Sequence, residues 1–449
     1  MKKIEKLVEF AILLVATETG LSLNYIQKVL LRESLLDPKK SYAQIAEENN
    51  YSESYIKCSV APKLWQLLSQ AIGEKVNKTN LPALLEQHSV NQKNPQPTAT
   101  TTAMPAAGLT KEHYVLESPE GQVPVASRLY IERSTIEQTC YQEILQPRAF
   151  IRIFAPRKMG KTSLIARILD YGSSQNYHTV RLSLHCAGTQ VFASSDRFLR
   201  WFCTNVTKQL GLESRLNDYW DEDMGPLINS TIYFQGYILK EIFNPMVLAL
   251  DGIDQLFQYP ELAGDFFVLL RSWYQETKDT SVWQKLRVVM AHSVELYIPL
   301  PTNRSPFNVG LAIELPTFNQ EQVQDLAQRH QLQLTKPELE QLMKLTGGSP
   351  YLIRLALYQS SRLKIPIQTL LQDATTDRGI YQQHLQYQWW NFQQDPDLFD
   401  AFRQVLTAPI QLNMEVGFKL KSLGLVHIIE NKLTVSCELY REYFRNYFS

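Results

Sequence analysis

The stretch AFIRIFAPRKMGKTSLIARIL, residues 149–169, changes from a strand pattern to a helical pattern at its centre. Residues 149–154 alternate as a β-strand does, and the residues after Gly160 repeat apolar side chains at helical spacing. Between them, APRKMGKTS matches the pattern G-x-x-x-x-G-K-[ST] except at its first position, where Ala155 replaces glycine. Strand, loop and helix follow in the order that this pattern requires. The sequence therefore predicts a phosphate-binding loop.

The residue types in this loop suit ATP or ADP with Mg²⁺. Gly160 lets the backbone close on the phosphates, and the amide groups that begin the helix supply positive potential. Lys161 would reach the β and γ phosphates as a catalytic residue, and the Thr162 hydroxyl would bind Mg²⁺. The predicted nucleotide-binding residues of the loop are Ala155, Pro156, Arg157, Lys158, Met159, Gly160, Lys161, Thr162 and Ser163. The alternative is a glycine turn that contains GKT and binds nothing.

A second signal is PMVLALDGID, residues 245–254, an apolar run typical of a strand buried in a parallel sheet. Asp251 at its end is placed to hold Mg²⁺ through water, opposite Thr162. Many nucleotide-hydrolysing proteins have a carboxylate at the next position, but this chain has Gly252. A missing general base typically costs about 10²- to 10⁴-fold in rate. Asp254 is the candidate substitute, and whether this chain is an enzyme stays open.

Two further segments predict strands of the same sheet, TVRLSLHCA (179–187) and LRVVMAHS (286–293). The second would lie between the phosphate-loop strand and the Asp251 strand, where a polar strand end can sense the γ phosphate. His292 or Ser293 would do so here. The alternative is that His292 only provides hydrogen bonds for the polar groups at the end of the strand. The predicted fold is an α/β P-loop NTPase core over residues 113–317 with this extra strand.

Two arginines are candidates for stabilising phosphate charge. Arg157 lies in the phosphate loop, and Arg271 lies in the helix that follows Asp251. The alternative for either residue is an ordinary surface or phosphate contact.

The N-terminal region, residues 1–88, predicts an all-helical module with a helix-turn-helix layout. Its candidate DNA-binding residues are Glu53, Ser54 and Lys57 in the groove, with Lys63, Lys75 and Lys78 near phosphates. Residues 1–90 contain 11 basic and 10 acidic side chains, a weak electrostatic footprint for a lone DNA reader. Docking on a protein partner is the alternative.

The remaining segments complete the domain prediction. Residues 89–112, rich in Pro, Thr, Ala and Gln, are expected to be a flexible linker. Capping signals at Asn319 and Thr335 and a glycine stop at Gly347 predict a helical lid over residues 318–395. Residues 396–449 predict a winged-helix domain, with a hairpin that turns at Glu430 and Asn431. Its role is either packing against the core or a direct contact with DNA.

Composition narrows the compartment and the partners. The chain has 449 residues, with 45 basic and 45 acidic side chains, so no overall field directs it to nucleic acid or anionic lipid. Five scattered cysteines without a C-x-x-C pair fit a reducing compartment. We expect a cytoplasmic protein without a membrane-spanning segment, whose apolar N-terminus is an amphipathic helix.

The blocks APRKMGKTS, DRFLRWFC, VLALDGID, SPFNVGLAIELP and TGGSP resemble the bacterial AAA-like ATPases related to the STAND signalling NTPases. The resemblance covers most of residues 110–449 and implies ATP as the nucleotide. It also implies that Gly348, Ser349 and Pro350 form the Gly-x-Pro motif that contacts the base, and that Arg133 lies near the adenine. The N-terminal region resembles the helix-turn-helix module of vWA-MoxR-associated proteins.

This resemblance implies a nucleotide-controlled switch, with a closed form that holds a nucleotide and an open form that engages a partner or assembles. Our leading hypothesis is an ATP-binding signalling switch with slow or absent hydrolysis, which transmits its state to the N-terminal module. That module would contact DNA, a protein partner or a second copy of the chain. The alternatives are an active ATPase that loads or remodels on DNA, and a transcription regulator that acts through its helix-turn-helix.

Overall fold

The computed structural model describes residues 116–133, 135–276, 281–293, 305–411 and 414–448. In the N-terminal region it describes residues 25–35, 40–48 and 60–72 and shorter stretches between 7 and 85. The chain divides into two compact units, residues 1–110 and 111–449. The predicted linker, residues 89–112, lies outside the described residues. Within the described part, no helix is both long enough and apolar enough to cross a membrane.

The described part of the N-terminal unit is helical. Its helices are α1 (Tyr25–Leu35), α2 (Tyr42–Glu48) and α3 (Ala61–Ile72). Ile45 and Ala46, predicted to face inward, are buried in the core of this unit. Residues 49–56, which contain the predicted turn, lie outside the described residues.

A five-stranded parallel sheet forms the centre of the larger unit. Its strands are β1 (Phe150–Phe154), β2 (His178–Ser183), β3 (Met246–Asp251), β4 (Leu286–His292) and β5 (Leu311–Glu314). They lie in the order β2-β3-β4-β1-β5, and every neighbouring pair is parallel. Because β4 lies between β1 and β3, the predicted extra strand is confirmed. Edge strand β5 has no counterpart in the sequence prediction, since Ile313 is the one buried residue of its four.

Helices cover both faces of this sheet. They are α4 (Thr135–Leu145), α5 (Lys161–Ser174), α6 (Ser195–Gln209), α7 (Leu216–Tyr219), α8 (Pro226–Tyr233), α9 (Leu239–Glu241) and α10 (Pro260–Glu276). Alternate strand residues pack in opposite directions: Ile151 and Val289 lie against α4 and α5, and Phe150 and Val288 lie against α6, α8 and α10. All six residues of β3 are buried, as its continuous apolar run predicts.

The rest of the larger unit is mostly helical. Its helices are α11 (Gln320–Arg329), α12 (Lys336–Thr346), α13 (Pro350–Leu363), α14 (Ile367–Gln372), α15 (Gln382–Gln394), α16 (Pro396–Thr407), α17 (Met414–Ser422) and α18 (Glu438–Phe448). Asn319 caps α11 through a reciprocal pair of hydrogen bonds with Gln322. Gly347 ends α12 with φ 61°, as predicted.

A two-stranded antiparallel hairpin, β6 (Val426–Ile429) and β7 (Lys432–Val435), lies between α17 and α18. Its turn residues Glu430 and Asn431 have φ angles of 50° and 60°. Two consecutive positive φ angles define the tight turn that matches the twist of a hairpin. Residues 396–448 therefore contain two helices, a hairpin and a closing helix in the predicted order.

Candidate nucleotide site

The phosphate loop joins the end of β1 to the start of α5. Gly160 has φ 99°, a conformation that glycine adopts without strain, and α5 begins at the next residue. The Ser163 hydroxyl accepts a hydrogen bond from the backbone N–H of Val123 at 2.9 Å. The loop thus points the N-terminal amide groups of a 14-residue helix at the carboxyl edge of the sheet.

Lys161 folds back onto the loop. Its Nζ donates to the carbonyl oxygens of Ala155 at 2.7 Å and Pro156 at 2.9 Å. Burial lowers the pKa of Lys161 to about 8, and the nearby carboxylates of Asp254 and Asp251 partly oppose this shift. A buried ammonium group is poorly solvated. The negative charge of a polyphosphate would therefore stabilise the Lys161 ammonium group more than these two carbonyl contacts do.

Thr162 and Asp251 lie together at the end of β3, as predicted. Thr162 Oγ1 donates to Asp251 Oδ1 at 3.3 Å. A hydroxyl and a carboxylate are oxygen donors of the kind that Mg²⁺ prefers, so these side chains fit a magnesium site.

Arg181 is a site residue that the sequence analysis missed. Its Nη2 donates to Asp251 Oδ2 at 3.1 Å, and its Nη1 donates to Gln122 Oε1. The guanidinium therefore neutralises Asp251 and ties the segment before β1 to the sheet. The available signal was the one Arg in the predicted strand TVRLSLHCA.

The surroundings of position 252 explain why this position holds a glycine. Gly252 is buried with φ +75°, and a Cβ built on it would lie 2.5 Å from Cδ2 and Nε2 of His185. Asp254, the predicted substitute base, accepts a hydrogen bond from the Ser293 backbone N–H at 2.7 Å. The Asp254 carboxylate therefore caps the end of β4.

The other predicted phosphate contacts lie elsewhere. The His292 ring packs against Phe154 and Phe307, with centroid distances of 5.9 and 5.4 Å. Strand alternation places this ring on the face of the sheet away from α5. Arg271 lies 5.9 Å from the ring of Tyr274, which packs on Phe150, the first residue of β1. Since the phosphate loop follows the last residue of β1, Arg271 lies at the opposite edge of the sheet.

A cavity of about 380 Å³ opens beside Gly160, Lys161, Thr162 and Ser163. Its other walls come from residues 119–123, residues 129–131, Arg133 and the start of α13, including Pro350. Arg133 Nη2 donates to the Met159 carbonyl at 2.7 Å, and the guanidinium lies over the ring of Phe318. Arg133 therefore both supports the phosphate loop and lines the cavity. Gly348, φ +76°, packs against the Phe318 carbonyl, where a Cβ would approach to 2.6 Å.

A second cavity, of about 560 Å³, lies on the other side of the loop beside residues 156–159. Ser349 lines this cavity, together with parts of α15, α17 and α18. It is the larger of the two, but Lys161, Thr162 and Ser163 line only the smaller one. The helix N-terminus, and not cavity size, marks the place for phosphate.

The C-terminal elements contact the loop directly. The Arg157 backbone N–H donates to the Ser422 carbonyl at 3.0 Å, and Arg157 Nη1 donates to Tyr387 Oη at 2.9 Å. Lys158 lies 3.6 Å from the centroid of the Tyr351 ring. We call the contacts of Arg157 with Tyr387 and Ser422 the latch.

The predicted DNA-binding residues are only partly described. Glu53, Ser54 and Lys75, and the side chain of Lys63, lie outside the described residues. Lys57 is exposed. Lys78 bonds the Lys40 carbonyl and lies 4.5 Å from the ring centroid of Tyr42, so its ammonium group is engaged within the N-terminal unit.

Comparisons with known proteins agree with this architecture. Residues 118–446 match the AAA-like domain family, and residues 2–88 match the vWA-MoxR associated protein N-terminal HTH. The Walker-type ATPase PABY2304 of Pyrococcus abyssi superposes with a TM-score of 0.51 at 11% identity, covering 70% of this chain and 96% of that protein. The ORC2 protein of Aeropyrum pernix gives a TM-score of 0.44 at 13% identity, covering 73% of this chain and 97% of that protein.

A sequence relative is the uncharacterized WD repeat-containing protein slr0143 of Synechocystis. It is 24% identical over 217 residues, which are 46% of this chain and 18% of the relative. The chain thus spans less than a fifth of that relative's length.

The sheet order and the phosphate loop define a P-loop nucleotide-binding fold, and residues 2–88 match a helix-turn-helix module. The chain belongs to the AAA-like domain family, whose match covers more than half of its residues.

Proposed function

We propose that this protein is a switch that binds ATP or ADP with Mg²⁺ and hydrolyses ATP slowly or not at all. The phosphates bind at the amide groups of Gly160 to Ser163, and the base occupies the smaller cavity between Arg133 and Pro350. Lys161 moves from the loop carbonyls to the phosphates, while Thr162 and Asp251 hold Mg²⁺.

The latch is the observation that carries the switch. Arg157 belongs to the phosphate loop, whereas Tyr387 lies on α15 and Ser422 ends α17. A nucleotide that favours one arrangement of the loop therefore favours one position of the C-terminal elements, and the coupling acts in both directions. Gly424, beside Ser422, comes close enough to Pro156 that a Cβ on it would lie 3.5 Å from the proline Cβ.

The output of the switch is the N-terminal module, which engages DNA, a protein partner or a second copy of the chain. The family match of residues 2–88 supports this assignment. The nearly balanced charge of residues 1–90 favours a protein partner over an isolated DNA contact. Robust hydrolysis stimulated by DNA would instead favour a DNA-loading ATPase.

Tyr387→Phe tests the coupling because it removes one bond of the latch and leaves the nucleotide cavity intact. A single hydrogen bond contributes about 0.5–1.5 kcal/mol, so ADP release should become about 2- to 10-fold faster. Release is measured with fluorescent ADP displaced by unlabelled nucleotide. Tyr358→Phe, on α13, is the matched control and should release ADP at the wild-type rate.

Equal release rates in Tyr387→Phe and wild type would contradict the latch. Failure of the wild-type protein to bind ATP or ADP at all would contradict the nucleotide site itself. These two outcomes are separate because the second is measured before any variant is made.

A further inference from the structure

The imidazole of His185 occupies the space that a side chain at position 252 would need. A Cβ on Gly252 would lie 2.5 Å from both Cδ2 and Nε2 of this ring, well inside van der Waals contact. Many ATPases have a carboxylate at the position that Gly252 holds here. In this chain an imidazole from the segment that follows the neighbouring strand β2 fills that volume.

The sheet register brings the ring there. β2 pairs with β3 so that Ser183 lies opposite Asp251. The chain then enters a short 3₁₀ helix, Leu184–Cys186, which places His185 just beyond the end of β3. His185 Nδ1 lies 3.1 Å from Nε2 of the Gln255 side chain, so the ring is held on one edge, while the residue stays exposed.

Both oxygens of Asp251 and one oxygen of Asp254 are engaged in other contacts. Asp254 accepts the Ser293 N–H, and Asp251 contacts Thr162 through one oxygen and Arg181 through the other. His185 has its Nε2 edge directed at Gly252, next to the predicted magnesium site.

We infer that His185 is the general base of ATP hydrolysis in this protein, in place of the carboxylate that Gly252 lacks. This inference rests on the proposed nucleotide site and on the form of the proposed function in which ATP is hydrolysed slowly. His185 Nε2 takes a proton from a water molecule while the water oxygen forms a bond to the γ-phosphorus. The bond from that phosphorus to the bridging oxygen breaks, ADP and inorganic phosphate leave, and the imidazolium returns its proton to solvent.

This role fixes the tautomer of the ring. The structure places Gln255 Nε2 beside Nδ1, an arrangement that would leave the ring proton on Nε2. A base needs Nε2 free of its proton, so the role requires the Gln255 amide to be turned by 180°, with Nδ1–H donating to Oε1 at the same place. Gln255 is therefore a positioning residue. Gln255→Glu keeps an acceptor at this place and should retain or raise turnover, whereas Gln255→Leu should lower it.

The test is single-turnover ATP hydrolysis with Mg²⁺ by the full chain. His185→Ala should slow the chemical step by about 10²-fold or more, the usual contribution of a general base. The dissociation constant for ADP and the melting temperature should stay at their wild-type values. His178→Ala, at the first residue of β2, the strand that precedes His185, is the matched control and should leave hydrolysis unchanged.

A second readout does not depend on activity. The His185 imidazole resonance, assigned by its loss in His185→Ala, should shift when a non-hydrolysable ATP analogue binds, and the His178 resonance should not. A wild-type rate in His185→Ala would overturn the inference, as would a wild-type protein that binds ATP without hydrolysing it. If the wild type binds no nucleotide, the proposed function fails as well.

Discussion

On one side of the phosphate loop Thr162 contacts Asp251 at the end of β3, whereas on the other side Arg157 is bonded to the C-terminal elements. The first side contains charged groups held close together, including the Asp251–Arg181 ion pair. The second side contains the backbone hydrogen bond of Arg157, its bond to the Tyr387 hydroxyl, and the close approach of Gly424 to Pro156. We call them the metal side and the latch side.

The difference teaches how one loop can serve binding and signalling. In the proposed function the metal side needs fixed positions, because groups with definite geometry would hold phosphate and Mg²⁺. The latch side needs contacts that can break at low cost, because a switch moves between states separated by a few kcal/mol. Tyr387 is about 43% exposed, so its bond to Arg157 competes with water and is of the second kind.

The largest effect is expected on the metal side, from Lys161→Ala. The change removes the ammonium group that would reach the β and γ phosphates, and nucleotide binding should fall by about 10²-fold or more. Isothermal titration with ATP and with ADP measures this loss. Lys208→Ala removes an exposed positive charge from α6, outside both cavities, and its binding should stay at the wild-type level. Retained binding by Lys161→Ala would refute the phosphate-loop assignment.

A smaller effect is expected from Gly252→Glu, which restores the carboxylate in sequence. The variant must place a side chain at φ +75°, at a cost of about 1–2 kcal/mol, and must displace the His185 ring. We therefore expect a lower melting temperature and no gain in ATP turnover. Gly211→Glu, at φ +71° with open space around it, is the control for backbone strain alone. A large gain in turnover would instead show that the glycine restrains hydrolysis.

The two sides also differ in how far the sequence predicts them. Local sequence patterns predict the phosphate loop, the helix after it and strand β3. The predicted order of β1, β4 and β3 is also found in the folded chain. The pairing of Thr162 with Asp251 was predictable because both follow strands of one parallel sheet. Such patterns depend on residues close together in the chain.

The missed contacts join distant parts of the chain. Arg181 and His185 reach the site because β2 pairs in register with β3, and the sequence does not state that register. The latch joins positions more than 200 residues apart, Arg157 with Tyr387 and Ser422. No local pattern encodes such a contact. Arg133 was predicted at the nucleotide, but its bond to the Met159 carbonyl was not.

The smallest effect concerns Lys161, whose ammonium group links the two sides through the carbonyls of Ala155 and Pro156. Burial lowers its pKa to about 8 in the unliganded protein. Bound phosphate stabilises the charged form and raises this pKa, so binding is strongest below pH 8 and weakens as the pH rises above it. Between pH 7.5 and 9 the affinity for ADP should fall by about 5- to 10-fold.

The matched control for this pH dependence is Lys161→Arg, because a guanidinium keeps its charge over this range. Its affinity for ADP, even if lower overall, should not change between pH 7.5 and 9. A wild-type affinity that is equally flat would mean that Lys161 stays fully charged before phosphate arrives. The ammonium group that contacts Ala155 and Pro156 would then have an ordinary lysine pKa. No group linking the two sides of the loop would change its charge in this pH range.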